Sequence, residues 1–217
     1  MKHLIVVAHP NEASFTMSLA RTYADELEKI GDETHVSDLY RLDFDPVLSP
    51  AELPGSAAGS PVPGDVRREQ DNLCTVAAIA FIYPLWWASM PAIMKGYIDR
   101  VFSYGFAYDF KGGAMRGLLS GRKTVVMTVS AAPLEEMRRS GEWDAVQALQ
   151  DAHIFRTCGL DLVEHLHFSA VVPGLNEDMV RRHLDRVRAC AQGHFSTRGV
   201  GRSSQSPIDP MATRGSQ

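Results

Sequence analysis

Two rhythms of apolar residues alternate along this chain. Leu4-Ile5-Val6-Val7-Ala8 is a run without polar interruption, the pattern of a strand buried on both faces of a parallel sheet. From Ser14 the rhythm changes. Leu19, Tyr23, Leu27 and Ile30 recur at spacings of three and four, with Arg21, Asp25, Glu28 and Lys29 opposite them, which predicts an amphipathic helix. Ser14 suits its N-cap and Gly31 its C-terminal stop. The alternation then repeats. Strands are predicted over residues 33–39, 76–82, 123–129 and 160–172. Helices are predicted over 66–74, over 91–101 with Pro91 in the first helical position, over 142–157 with Val146, Leu149, His153 and Ile154 as its stripe, and over 177–191.

Five strands separated by helices imply an α/β fold, a doubly wound parallel sheet covered on both faces. The flavodoxin-like strand order 2-1-3-4-5 fits best, and it places ligands beyond the carboxyl ends of the first and third strands. Residues 41–64 hold five of the twelve prolines and read as a long surface excursion, a kind of loop that is usually functional or mobile. After Gln192 few apolar anchors remain. The expectation is one domain over 1–192 and a disordered tail over 193–217.

Composition narrows the function classes. With 217 residues and a net charge of -4, there is no basic surplus to attract nucleic acid. Cys74, Cys158 and Cys190 are far apart and odd in number; this excludes a disulfide scaffold and a CxxC motif and suits a reducing cytoplasm. The longest apolar stretch, 76–90, is broken by Pro84 and too short to span a bilayer. The chain opens directly in a strand-like run, so no signal peptide and no stable membrane insertion are expected.

Candidate chemistry is sought at the strand ends. There is no GxGxxG after the first strand and no GxxxxGK[ST] anywhere, so neither a Rossmann fingerprint nor a P-loop is present. The first loop runs from His9 into the helix start at Ser14, with Thr16 and Ser18 following; free N–H groups and hydroxyls there suit a phosphate, although taken alone the loop reads more simply as Ser14 serving as a plain N-cap and His9 as a turn residue. The second loop, Pro84-Leu85-Trp86-Trp87, holds two of the three tryptophans. They could wall a flat conjugated ligand or pack at an interface. After the fourth strand, the hydroxyls of Thr128 and Ser130 could meet the rim of such a ring, or form an ordinary turn. No GxSxG is present and no histidine set has metal-ligand spacing, so no metal is expected. His165 and His167, two apart on one strand face, read as structural or surface residues.

The stretch from Pro84 to Phe102, PLWWASMPAIMKGYIDRVF, followed by Gly105-Phe106-Ala107-Tyr108, together with the opening Ala8-His9-Pro10 and Ser14-Phe15, resembles the flavodoxin-like NAD(P)H:quinone oxidoreductases, the group of DT-diaphorase. The resemblance spans roughly residues 2–192. It implies a homodimeric flavoenzyme with its active site at the interface, holding FAD or, in some members, FMN, with NAD(P)H as co-substrate. His9, Ser14, Phe15, Thr16 and Ser18 fall where such proteins grip the phosphates and ribityl chain. Pro84, Leu85, Trp86 and Trp87 fall on the isoalloxazine, and Thr128, Val129 and Ser130 on its polar rim. Trp87, Tyr108 and Phe110 would line the substrate pocket, the last two reaching across to the partner.

Two departures stand out. Thr16 replaces the family's Asn, and Thr128-Val129-Ser130-Ala131 replaces its Thr-Thr-Gly-Gly. No counterpart of the family's Tyr and His that assist charge transfer appears between Ala132 and Trp143, so no catalytic residue is assigned. The implied reaction is a ping-pong, two-electron hydride transfer to a flat quinone, azo or nitro acceptor. The alternative is a flavin-binding regulatory subunit of a membrane transport protein with secondary reductase activity, docking through 41–64. A one-electron flavodoxin carrier fits poorly, because the Ser/Thr/Gly-rich phosphate loop is absent.

Overall fold

The computed structural model describes residues 1–53 and 62–195. The chain folds as β1 (Lys2–Val7), α1 (Phe15–Lys29), β2 (Glu33–Asp38), a 3-10 turn (Pro50–Glu52), α2 (Gly64–Thr75), β3 (Ala78–Pro84), α3 (Ala92–Val101), β4 (Tyr108–Lys111), β5 (Ala114–Gly117) and β6 (Lys123–Val129). It continues with α4 (Leu134–Ser140), α5 (Glu142–Val146), a π-helical segment (Gln147–Arg156), β7 (Asp161–Phe168) and α6 (Glu177–Phe195). The sheet order is β2-β1-β3-β6-β7, parallel throughout. This is the expected 2-1-3-4-5 order once β4 and β5 are set apart as a separate antiparallel hairpin.

Alternating residues of each central strand feed two cores. Leu4, Val6, Ile79 and Phe81 face α2, α3, α5 and the π-helical segment. Ile5, Val7, Ala80 and Ile82 face α1 and α6. A strand buried on both sides has no polar face to alternate, which is why β1 and β3 read as unbroken apolar runs. Ser14 caps α1, accepting the Met17 N–H at 3.3 Å.

Several expectations are corrected. Pro91 is the N-cap of α3, one place earlier than expected. Strand β7 ends at Phe168, and α6 runs to Phe195, whose buried ring meets His3 edge-on at 4.7 Å. Residues 193–195 are therefore helical; the remainder of the expected tail lies outside the described residues. The single helix expected over 142–157 widens after Val146 into π geometry, with bonds such as Thr157 N–H to Ala152 O. That widening rotates the buried face onto Gln150, Asp151 and Phe155 and leaves Leu149 exposed. The excursion 41–64, of which 54–61 lie outside the described residues, is held to the body by its flanks. The Arg100 guanidinium bonds Glu52 at 2.8 Å and the Asp45 carbonyl at 2.6 Å, and it pairs with Asp65.

Candidate active site

The loops after β1, β3 and β6 meet at one end of the sheet. The Leu85 N–H donates to the Val129 carbonyl at 2.7 Å, and the His9 and Trp86 rings meet edge-on at 5.9 Å.

In the first loop, His9 Nδ1 lies 3.0 Å from the Asn11 N–H and 3.1 Å from the Asn11 carbonyl, which leaves Nε2 without a partner among the described residues. Burial pulls the His9 pKa down, opposed by its backbone contact with Asn11. The N–H groups of Phe15 and Thr16 have no acceptor among the described residues, as the first turn of a helix leaves them. Other candidates point elsewhere. The Ser18 hydroxyl turns back to the Ser14 carbonyl at 3.2 Å, and the Phe15 ring packs on Phe168 and His183. Arg41, which sequence reading passed over, clamps the loop from outside through Glu12, the Pro10 carbonyl and the His9 carbonyl.

In the second loop, Trp86 and Ser89 exchange both backbone bonds, at 3.0 and 3.1 Å, around Trp87 and Ala88. Both central residues have positive φ, 54° and 55°. For non-glycine residues such conformations cost about 1–3 kcal/mol each. The turn presents the Trp87 side chain at 100% exposure while Leu85 stays buried. A strained turn that lifts a whole indole into solvent gains nothing in stability from it, so the arrangement points to a ligand or partner.

The third loop departs from expectation. Thr128 is fully buried, and Ser130 nearly so. Their hydroxyls are taken up by partners within the protein. Thr128 Oγ1 lies 2.8 Å from both His165 Nε2 and His167 Nδ1. Ser130 Oγ lies 3.0 Å from His167 Nε2 and 2.8 Å from the Ala132 carbonyl. The Asp151 carboxylate closes the chain on His165 Nδ1 at 2.9 and 3.0 Å. The reason is register: Thr128 pairs with His167 across β6 and β7, so both project to the same face. His165 and His167 are thus on one face, as expected, but buried under Trp143 and not at the surface. Burial first, then the charges of His165 and Arg186, lower the His167 pKa to about 4. The loop also offers free backbone: no acceptor takes the N–H of Ala131 or Ala132 among the described residues.

Beyond Trp87 an apolar groove continues along Met90, Lys95 and Ile98 on one side and Val146, Leu149 and His153 on the other. A second groove, lined by Tyr108, Phe110 and Met115 of the hairpin, shares Ile98, Asp99, His153 and Ile154 with it. Tyr108 and Phe110 therefore lie beside their own chain's loop cluster, not in it. Elsewhere, Glu164, Cys190 and His194 bring ligand atoms within 4.8 Å of one another, a grouping that histidine spacing alone did not reveal.

Comparison with known proteins agrees with this geometry. A family described as having a flavodoxin-like fold matches residues 1–190. An uncharacterized NAD(P)H oxidoreductase of Haemophilus influenzae is 33% identical over 193 residues, covering 87% of this chain and 93% of that protein. The chain belongs to this flavodoxin-like family of NAD(P)H oxidoreductases. The structure of an NAD(P)H:quinone oxidoreductase from Methanothermobacter marburgensis superposes with a TM-score of 0.79 at 30% identity, over 89% of this chain and 96% of that one. An FMN-dependent NADH-azoreductase of Bacillus anthracis, solved with FMN, shares the fold at 15% identity and a TM-score of 0.69, over 89% and 99%. No described helix is long and apolar enough to cross a membrane.

Proposed function

We propose that this chain is a flavin-dependent NAD(P)H oxidoreductase that reduces quinones or other flat aromatic acceptors. The observation that carries the reading is Trp87, fully exposed on a strained turn whose neighbour Trp86 meets the His9 ring at the end of the sheet. These residues fit a flavin mononucleotide moiety. The N–H groups of Phe15 and Thr16, with the His9 ring beside them, would hold a phosphate. The Pro84–Trp87 turn would carry the flat ring, and the N–H groups of Ala131 and Ala132 would meet its polar rim. A bound flavin would supply two-electron hydride chemistry between NAD(P)H and the acceptor, the two sharing one open face in turn as a ping-pong order requires. The chain would orient the ring through the Pro84–Trp87 turn and leave room for flat molecules such as quinones, azo compounds or nitroaromatics.

FMN, the flavin of one fold neighbour, and FAD are both accommodated by this reading. The continuous face from Trp87 to Phe110 supports a homodimer in which the hairpin of one copy covers the site of the other. The visible spectrum of the purified protein, with the chromophore released by heat and identified by chromatography, tests the assignment. Close to one FMN or FAD per chain is expected. A colourless protein that also fails to bind either added flavin removes the reductase reading and leaves regulation of another protein as the role.

A further inference from the structure

The buried polar chain behind the third loop has a hydrogen count that its neutral residues cannot meet. Five contacts run in series: Asp151 to His165 Nδ1, His165 Nε2 to Thr128, Thr128 to His167 Nδ1, His167 Nε2 to Ser130, and Ser130 to the Ala132 carbonyl. Each needs one hydrogen between its heavy atoms. Two neutral imidazoles and two hydroxyls supply four. The carboxylate fixes the first hydrogen on His165 Nδ1. The other three then all point toward Asp151, and Ser130 and the Ala132 carbonyl are left 2.8 Å apart with nothing between them. Turning the Ser130 hydroxyl to the carbonyl moves the same vacancy to its 3.0 Å contact with His167. The Met137 thioether, 3.6 Å from Ser130 Oγ, is one more acceptor facing that single hydrogen.

One added proton resolves the count. With both His165 nitrogens protonated against Asp151, every later bond reverses. His165 donates to Thr128, Thr128 to His167 Nδ1, His167 Nε2 to Ser130, and Ser130 to the carbonyl. Five hydrogens then serve five contacts, as a buried network requires. We infer that this network is the proton reserve of the active site: it holds one proton at the Asp151–His165 pair and releases it through Ser130 to the ligand seated against residues 130–132. The inference rests on the flavin reading above.

Release conserves atoms and charge. The Ser130 hydroxyl swings from the carbonyl and gives up its proton, and the His167 Nε2 hydrogen moves to Ser130 Oγ. The Thr128 hydrogen moves to His167 Nδ1, and the His165 Nε2 hydrogen to Thr128. Four bonds break and four form, no electrons move within the protein, and His165 is left neutral. The other groups facing the chain are the Trp143 ring and Arg186, which donates to the His167 carbonyl at 3.2 Å and so favours a neutral His167 in both states. The sequence departures noted above left this enzyme without a proton source between Ala132 and Trp143. Two histidines one strand over fill that gap.

The test uses the tautomer of His167, which differs between the two states although the ring is neutral in both. Nitrogen-15 spectra of the flavin-free protein at pH 7 should show the His167 hydrogen on Nε2 and both His165 nitrogens protonated. In Asp151→Asn, whose amide can donate to His165 Nδ1 and so supplies the fifth hydrogen without a charge, His165 should lose its Nδ1 hydrogen and keep the one on Nε2, with His167 unchanged. Ser130→Ala, which removes two contacts and one hydrogen and so needs no extra proton, should move the His167 hydrogen to Nδ1; it serves if the Asn variant fails to fold. A wild-type His167 protonated on Nδ1 overturns the reserve. Two-electron reduction of the FMN-loaded wild type should then draw one proton fewer from the solvent than reduction of loaded Asp151→Asn. Equal uptake overturns the supply role even if the tautomers are as stated. A chain that binds no flavin overturns the functional reading, and the rim role with it, while the spectra still decide the hydrogen count.

Discussion

At the scale of single residues, this site is unusual in the contrast between Trp87 and His167. One is a large apolar side chain left wholly in water; the other is a titratable ring buried and kept neutral. Trp87 makes no buried contact, so Trp87→Ala should shift the unfolding midpoint little, with a stability change within about 0.5 kcal/mol, while turnover falls. Kinetics unchanged from wild type would remove Trp87 from the slot. His167 makes the opposite prediction. Its folded pKa of about 4 lies below the unfolded value near 6.5. Below pH 6.5 the unfolded chain takes up a proton that the fold refuses, so this ring's contribution is intact above pH 6.5 and is lost as pH falls toward 4. About 2.5 pH units at ~1.4 kcal/mol each give a loss of about 3 kcal/mol. In denaturant titrations at pH 7 and pH 4.5, the wild type should lose more stability than His167→Gln. The residue types of this site were readable in the sequence; their directions were not. Thr128 and Ser130 looked like rim hydroxyls because hydroxyls at a strand end commonly are. Only the pairing of Thr128 with His167 across β6 and β7 turns them inward.

At the scale of elements, the sequence showed most clearly what depends on periodicity. The bounds of β6 and the span of α1 between Ser14 and Ile30 follow from unbroken runs and from the stripe of Leu19, Tyr23 and Leu27. The π-helical segment did not show, because a widened turn changes the period itself. The apparent stripe Leu149–His153 belongs to an ordinary helix, whereas the real buried side carries Gln150 and Asp151. Polar residues on a buried side look like errors until their partners are seen: Gln150 accepts from the Tyr83 hydroxyl at 2.6 Å, and Asp151 from His165. Gln150→Leu keeps the volume but orphans that fully buried hydroxyl. It should therefore cost about 1–3 kcal/mol, read as a lowered urea midpoint with an unchanged slope. The helix–loop contact at Gly96 makes a second case. A Cβ there would sit 2.4 Å from the Pro46 backbone, so α3 and the segment before the 3-10 turn touch main chain to main chain. Gly96→Ala has to push them apart, with an expected loss of about 1–3 kcal/mol, unlike the gain that alanine gives in a free helix. A Gly96→Ala protein as stable as wild type would show that the segment moves aside without cost.

At the scale of the molecule, the apolar surface is unevenly distributed. Trp87, Leu149, Phe110 and Met115 are all exposed, and they border two grooves joined through Ile98 and Ile154. Scattered apolar side chains need no explanation, but a continuous run of them does. The hairpin is the element that makes this face. It lies outside the main sheet and leaves Phe110 and Met115 exposed as a cross-strand pair. A second copy would cover the face isologously, and a stable dimer needs about 800 Å² from each partner. Leu149 sits in neither the loop cluster nor the core, which makes it a clean probe. Leu149→Lys should leave the unfolding midpoint of the isolated chain nearly unchanged while shifting sedimentation from dimer to monomer at micromolar concentration. If the site is completed by the partner's hairpin, activity per chain should fall as the protein is diluted, and fall at higher concentration for the Lys variant than for wild type. A wild type that sediments as a monomer while retaining full activity would separate the two ideas, leaving each chain a complete enzyme and the face between Trp87 and Phe110 open for the substrate alone.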